Sequence, residues 1–308
     1  MMRKPQALQP GDRIAIIAPA SPFARDEFDR GVAELRRLGL EPVYSDRVFA
    51  RTGYLAGAAE DRARDFLDAW TDPAIAAIVA ARGGYGSVQL LPFLNREAFL
   101  ERAKAFIGYS DNTSLMTWLM QECGVVTFHG PMVEGRLARG PAGYDLASFQ
   151  RSLFTPEAAG EIAPDQLETL AAGEATGELV GGTLTQLVAS LGTPYAFNPP
   201  AGCVLFLDDI AERPYRLDRM LTQLRLAGLL ERAAAIVFNE LPKCDEPGGD
   251  PRARDAVRDV LRDFRGPILF GLPSGHTDGA AITLPFGVLA RVVATRRPAL
   301  VIEEAAVV

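Results

Sequence analysis

The sequence predicts an α/β protein of two domains, a doubly wound parallel sheet followed by a smaller, mixed and more β-rich domain. Three observations predict it. The chain has 308 residues, enough for two domains of ~150 residues. Over residues 1–150 short apolar runs alternate with amphipathic segments of helical period. Such alternation implies a mostly parallel sheet covered on both faces. Residues 156–176 then turn rich in Ala, Gly, Glu and Pro, with weak helix signals. They read as a link between domains at 1–155 and 177–308.

The elements follow in order. Residues 13–18 read as a buried first strand. Phe28, Val32, Leu35 and Leu38 recur at helical spacing, with Gly39 placed to cap the helix C-terminus. Residues 42–45 form a short strand, and 58–71 a helix with Phe66, Leu67 and Trp70 on its apolar face. Strands follow at 75–80, 106–109 and 125–128, with helices between them. In the second half, 204–207 is a strand and Leu217, Met220, Leu221 and Leu224 mark a helix stripe. Strands at 235–238 and 268–270 flank a helix over 250–264, and 282–302 alternates short β runs with turns.

Composition narrows the function. With 48% hydrophobic and 23% charged residues the chain buries a large core. A net charge of −7, from 32 Lys and Arg against 39 Asp and Glu, with no basic run, argues against broad nucleic-acid binding and against an anionic membrane surface. Cys123, Cys203 and Cys244 are widely spaced and form neither a disulfide framework nor a zinc pattern, which favours a reducing compartment. The longest apolar runs, such as 74–81, fall far short of the ~20 residues of a membrane span. Arg3, Lys4 and the run 14–18 imitate a signal peptide, but the run is short and broken by Pro19 and Pro22. It reads as the first strand, and the expected address is the cytoplasm.

Chemistry-bearing residues are few. His129 and His276 are the only histidines, so a His-rich metal site and a His-Glu-x-x-His helix are excluded, and an imidazole base has two candidates. At 106–113 an apolar strand enters Gly108-Tyr109-Ser110 and a helix begins. A serine there is lifted off the sheet edge near helix amides that stabilise an oxyanion. The pattern is a nucleophile elbow without its second glycine. The simpler reading makes Ser110 or Asp111 the helix N-cap.

Ala81-Arg82-Gly83-Gly84-Tyr85-Gly86-Ser87 is a glycine-rich turn after a strand, either an anion cradle beside Ser110 or a tight turn with no ligand. His276 lies in Leu272-Pro273-Ser274-Gly275-His276-Thr277, a strand-end loop suited to catalysis, or is a surface histidine. His129, before Gly130-Pro131, reads as a hydrogen-bonded structural histidine. Asp208 and Asp209 close a strand and either cap a turn or orient an imidazole. The order Ser…Asp…His occurs in some serine hydrolases, and spacing alone leaves open whether the three meet.

Together these segments resemble the LD-carboxypeptidase family of serine peptidases, which includes muramoyltetrapeptide carboxypeptidases and the peptidases that confer immunity to microcin C. The resemblance spans nearly the whole chain. It is carried by Gly11-Asp12-Arg13-Ile14, Pro19-Ala20-Ser21-Pro22, Gly53-Tyr54-Leu55-Ala56-Gly57, 81–86, 107–111, His129-Gly130-Pro131, Gly181-Gly182-Thr183-Leu184, Pro214-Tyr215-Arg216-Leu217 and 273–276. It implies a flavodoxin-like first domain and a Ser–Glu–His triad. Ser110 matches the nucleophile and His276 the base. The acid normally opens a Leu-Glu-Asp run, which here is Leu207-Asp208-Asp209, so Asp208 stands for the Glu. Its side chain is one methylene shorter, so either the backbone sits closer to His276 or the contact is looser. Adjacent strand residues point to opposite sides, so one of Asp208 and Asp209 faces the base. Thr183 stands where the pattern has Asn.

Gly83, Gly84 and the Asp111 N–H resemble the family's oxyanion region. Arg82 and Arg216 are candidates for gripping the substrate carboxylate, with surface or structural roles as the alternative. Ser110 from one domain and Asp208 with His276 from the other imply a site at the domain junction. The implied reaction cleaves the amide between an L-centre and a C-terminal D-residue. The implied substrate is a small peptide, a murein tetrapeptide losing D-alanine in cell-wall recycling. No metal or organic cofactor, nucleic acid or membrane is implied, and a homodimer is. The alternatives are a microcin-immunity-type peptidase acting on peptidyl or aminoacyl nucleotides, and a binding module without turnover.

Overall fold

The computed structural model describes residues 2–308. The apolar run after Arg13 forms β1 (Arg13–Ile17), with residues 14–17 all buried, as a strand covered on both faces requires. In α1 (Arg25–Arg37) Phe28, Val32 and Leu35 are buried. Asp26 and Glu27 occupy its first turn and Arg36 and Arg37 its last, the charge order a helix dipole favours. Gly39, at φ +85, reverses the chain behind it. There follow β2 (Glu41–Val43), α2 (Ala59–Thr71), β3 (Ile75–Ala80), α3 (Arg96–Leu100), β4 (Ala105–Gly108), α4 (Thr113–Cys123), β5 (Thr127–His129) and α5 (Leu146–Leu153). The rings of Phe66, Trp70, Phe99, Phe106 and Trp118 pack with centroids 4.8–5.9 Å apart. The strand expected at 125–128 starts later because Val125 bridges to Arg3 instead.

The remaining elements are β6 (Ala158–Ile162), β7 (Glu168–Ala171), β8 (Gly173–Thr183), α6 (Leu184–Ser190), β9 (Cys203–Asp208), α7 (Pro214–Leu226), β10 (Ala233–Asn239), α8 (Ala253–Val260), β11 (Ile268–Leu272), β12 (Leu284–Phe286), β13 (Leu289–Ala294) and β14 (Ala299–Ala305). Helix α8 is shorter than the expected 250–264, since Gly248, Gly249 and Pro251 precede it and its last buried apolar contact inside the helix is Val257. No described helix is long and apolar enough to cross a membrane.

The chain divides into two units, each with its own sheet. The first runs to Ala158 and takes back 279–287 and 305–308. Its sheet has the order β12-β5-β4-β3-β1-β2, parallel from β5 to β2, with β12 antiparallel on β5. The parallel order 2-1-3-4-5 is the doubly wound, flavodoxin-like one, with its switch point between β1 and β3. The second unit, 159–278 with 288–304, holds the order β6-β14-β13-β8-β9-β10-β11-β7. In it β8, β9, β10 and β11 are parallel, while β7 and β13 pair antiparallel to their neighbours.

Two expectations about domain limits are corrected. Residues 156–176 are not a link, since they supply the two outermost strands, β6 and β7, and the start of β8. Edge strands pair on one side only, so they need little of the apolar alternation that marks a strand in sequence, and Gly160 at φ +78 interrupts what there is in β6. Nor does all of 177–308 belong to the second unit. Residues 284–286 pair with β5, where Leu284 and Phe286 are fully buried.

Candidate active site

In the first unit the polar features gather at the C-terminal ends of β1, β3 and β4. Tyr109 leaves β4 extended, Ser110 turns to φ +64, and a 3₁₀ turn over Ser110–Asn112 enters α4. A side chain in that left-handed region costs about 1–3 kcal/mol, and such strain marks the strand–turn–helix elbow. No side chain caps the 3₁₀ turn or α4, so the N-cap reading of Ser110 and Asp111 does not describe this turn. Ser110 is half-buried and Asp111 buried.

The three loops are tied together by hydrogen bonds. Ser21 N–H donates to Gly83 O and Tyr85 N–H to Ser21 Oγ, each at 3.1 Å. Ser87 N–H donates to Asp111 Oδ2 at 2.7 Å, and Ser87 Oγ donates to the Asp111 carbonyl. Burial raises the Asp111 carboxyl above its ordinary range, against the Ser87 bonds that lower it. A Cβ on Gly83 would stand 2.9 Å from Ser110 Cβ and 3.0 Å from its Oγ. One on Gly84, at φ +97, would stand 2.4 Å from Ser21 Oγ. Both positions need glycine because the backbone passes so close to Ser110 and Ser21.

Arg62 of α2 lies behind this turn, 3% exposed. It donates to the carbonyls of Pro19, Gly57 and Gly86 and to Gln89 Oε1. Burial lowers its pKa and the charge of Asp111 raises it. Arg82 donates to Pro22 O at 2.8 Å and pairs with Glu134 at 3.1 Å, so it braces the loop after β1. His129 is fully buried between the rings of Phe286 (5.3 Å) and Tyr109 (5.9 Å).

In the second unit the polar groups gather at the C-terminal ends of β8, β9, β10 and β11. Asp208 and Asp209 close β9, and of the two it is Asp208 that faces the histidine. His276 Nδ1 lies 2.7 Å from Asp208 Oδ2, and the His276 backbone N–H donates to the same oxygen at 3.0 Å. Asp208 is fully buried, while the His276 side chain is 15% exposed. With the acid ionised, Nδ1 carries the proton and Nε2 is left basic. Thr183, at the end of β8, donates to Asp208 Oδ1.

Asp209 turns to the other side and accepts from Thr185 N–H (2.9 Å), Thr185 Oγ1 (2.7 Å) and Ile210 N–H (2.9 Å). Burial, then the charge of Asp208, pushes its carboxyl up to about 6. Asn239 ends β10 and donates to the His276 carbonyl at 2.6 Å, while its Oδ1 accepts from Leu241 N–H at 3.1 Å. Ala211, Leu241 and Lys243 nearby all have positive φ, of 58, 46 and 60. Arg216 is on the exposed side of α7, against Tyr215 and Glu212.

Arg62 and Asn239 were not singled out in sequence. Both carry a legible signal. Arg62 puts a charge on the apolar face of α2, four residues before Phe66, and Asn239 is a lone amide closing an apolar strand. Among the described residues no three His, Cys, Asp or Glu gather as metal ligands. Burial pushes the Cys123 and Cys244 thiols up to about 12 and Cys203 up to about 11, which leaves them unreactive at neutral pH.

Residues 14–130 match the family model for the LD-carboxypeptidase N-terminal domain, and 176–292 that for the LD-carboxypeptidase C-terminal domain. The chain is 35% identical over 311 residues to a protein of Bacillus subtilis named probable murein peptide carboxypeptidase, covering 97% of this chain and 94% of that one. It is 31% identical over 279 residues to a murein tetrapeptide carboxypeptidase of Pseudomonas aeruginosa, covering 88% and 90%. The microcin C7 self-immunity protein of Escherichia coli is 28% identical over 309 residues, covering 90% and 89%. A structure of the microcin C7 protein with aspartyl sulfamoyl adenosine superposes with a TM-score of 0.91 at 24% identity, covering 99% of this chain and 100% of that one, a likeness of fold.

Proposed function

The chain belongs to the LD-carboxypeptidase family of serine peptidases, and from that premise we propose that it removes the C-terminal D-alanine from a murein tetrapeptide. The observation that carries the reading is the buried carboxylate–imidazole contact between Asp208 and His276. It fixes the tautomer with the proton on Nδ1, so that Nε2 is the nitrogen that acts as base. The strained, half-buried Ser110 at the end of β4 supplies the hydroxyl such a base serves.

In this mechanism His276 Nε2 takes the proton of Ser110 Oγ as Oγ attacks the carbonyl of the LD-amide. The developing oxyanion takes hydrogen bonds from backbone N–H groups of the glycine turn at Gly83 and Gly84 and from Asp111. As the tetrahedral intermediate collapses, the imidazolium returns the proton to the leaving amine and D-alanine departs. A water, deprotonated by His276, then hydrolyses the acyl-enzyme. Asp208 holds the imidazole in the required tautomer and stabilises its charged form. The likeness to the murein tetrapeptide carboxypeptidase supports the substrate. Turnover of recycled peptides in the cytoplasm and assembly as a homodimer belong to the same reading, and cell fractionation and light scattering test them.

The decisive experiment is mass spectrometry of products from murein tetrapeptides with an LD-, an LL- and a DD-terminal bond, beside aminoacyl sulfamoyl nucleotides. Release of D-alanine from the LD-peptide alone is expected. Cleavage of the nucleotides with the peptides left intact would overturn the proposal.

A further inference from the structure

Strands β8 and β9 run parallel, with Thr183 directly opposite Asp208. The approach is close, since a Cβ on Gly181 would stand 1.9 Å from the Phe206 carbonyl oxygen. Thr183 is 5% exposed and Asp208 not at all. The Asp208 carboxylate is thus held from two sides. Oδ2 faces the N–H and Nδ1 of His276, and Oδ1 accepts from Thr183 Oγ1. The terminal torsion of an aspartate is broad and soft, so a donor on each oxygen is what defines the carboxylate plane. Asp208 and Thr183, which stand where the resemblance implies Glu and Asn, therefore occupy facing positions on neighbouring strands.

We propose that Thr183 is a positioning residue, whose hydroxyl orients the short Asp208 carboxylate against His276, and that the Thr183–Asp208 pair replaces the Asn–Glu pair as a unit. The proposal rests on Asp208 and His276 being the acid and base. A buried carboxylate is stabilised by each donor it accepts. Removing the Thr183 donor leaves more charge on the oxygen that faces the imidazole, which favours imidazolium. It also frees the carboxylate to rotate out of the imidazole plane. The first effect moves a pH limb and the second lowers turnover, and neither acts on substrate binding.

The test compares Thr183→Val, Thr183→Ser, Asp208→Glu and the double variant Thr183→Asn/Asp208→Glu in the full-length enzyme, by kcat, KM and the pH profile of kcat/KM, with folding checked. Thr183→Val is expected to lower kcat by about tenfold, leave KM near its original value and shift the acidic limb to higher pH. Thr183→Ser, which keeps the hydroxyl, is expected to restore both. The double variant is expected to exceed the Asp208→Glu single variant in kcat. An unchanged kcat and unmoved limb in Thr183→Val overturn the proposal. So does a double variant no better than the single one, which also decides the matter if the valine variant does not fold. Asp208→Asn serves as the control. Near-normal turnover there overturns the acid assignment itself, whereas a crippled Asp208→Asn beside a normal Thr183→Val overturns the role of Thr183 alone.

Discussion

Ser110 keeps its hydroxyl at the end of β4 in a conformation that glycine alone adopts freely, φ +64. Two substitutions that both delete the proposed nucleophile are therefore separable. Ser110→Ala and Ser110→Gly are each expected to abolish turnover, while the glycine variant is more stable than the alanine one by about 1 kcal/mol. Calorimetry beside a hydrolysis assay checks this, and equal melting temperatures would show an unstrained turn. At the neighbouring acids, Asp208→Asn is expected to lower kcat by on the order of 10³–10⁴, with Asp209→Asn far milder. The backbone sits close enough for the short Asp208 side chain to reach His276 at 2.7 Å while fully buried. Asp208→Glu then displaces the carboxylate by more than ~1 Å, and a loss of about 10² in kcat is expected in steady-state kinetics. Asp209 carries a different prediction. Its carboxyl, raised from 3.8 to about 6, holds its proton more tightly folded than unfolded. Its contribution to stability is full below pH ~4 and is lost as pH rises through about 6. Relative to Asp209→Asn, the unsubstituted protein should lose up to about 3 kcal/mol between those limits, read from denaturant melts at pH 4 and pH 7.5.

At the scale of elements, the glycine turn after β3 is held by a charge from another element. Arg62 reaches from α2 to the Pro19, Gly57 and Gly86 carbonyls. Arg62→Met is expected to cost on the order of 3 kcal/mol by leaving buried carbonyls without donors, and to lower kcat by loosening the turn. Urea melts and kinetics on one preparation check both, and a stable, fully active variant would remove Arg62 from the account. Gly83→Ala tests the turn from its other side, since its Cβ would press on Ser110 at 2.9 Å. Turnover should fall more than stability does. Legibility in sequence differed sharply between elements. The strand at 75–80 and the stripe from Leu217 to Leu224 were readable because burial on a fixed face writes a period into the sequence. The strands within 156–176 were not, because a sheet edge is stabilised by backbone pairing that any side chain allows.

At the scale of the molecule, the first unit is completed by chain that lies far along the sequence. Leu284 pairs with His129, Phe286 stacks on the His129 ring, and Val307 is 1% exposed. A fragment ending at residue 158 lacks all three and leaves β5 as an open edge. Each lost apolar side chain is worth about 1.5–3 kcal/mol, which together approaches the whole stability of a small domain. The fragment is expected to melt without cooperativity, while the full chain melts cooperatively. Circular dichroism distinguishes the two, and a cooperative fragment with an unchanged midpoint would show that β12 contributes little.

Features that repeat or are chemically singular are legible in the amino-acid order. Its apolar periods determined the α/β class, and its scarcity of histidine left two candidate bases. Its Gly108-Tyr109-Ser110 turn and Leu207-Asp208-Asp209 run named a hydroxyl and two acids. Tertiary structure alone decided that Thr183 holds Asp208 from the next strand, and that Arg62 and Asn239 brace the loops. It alone also sent residues 284–286 to β5. The reason is physical: a period reports the local burial of a face, whereas a hydrogen bond across strands depends on register. Register is set by the close packing of whole sheets, as where Gly181 lets β8 lie against β9.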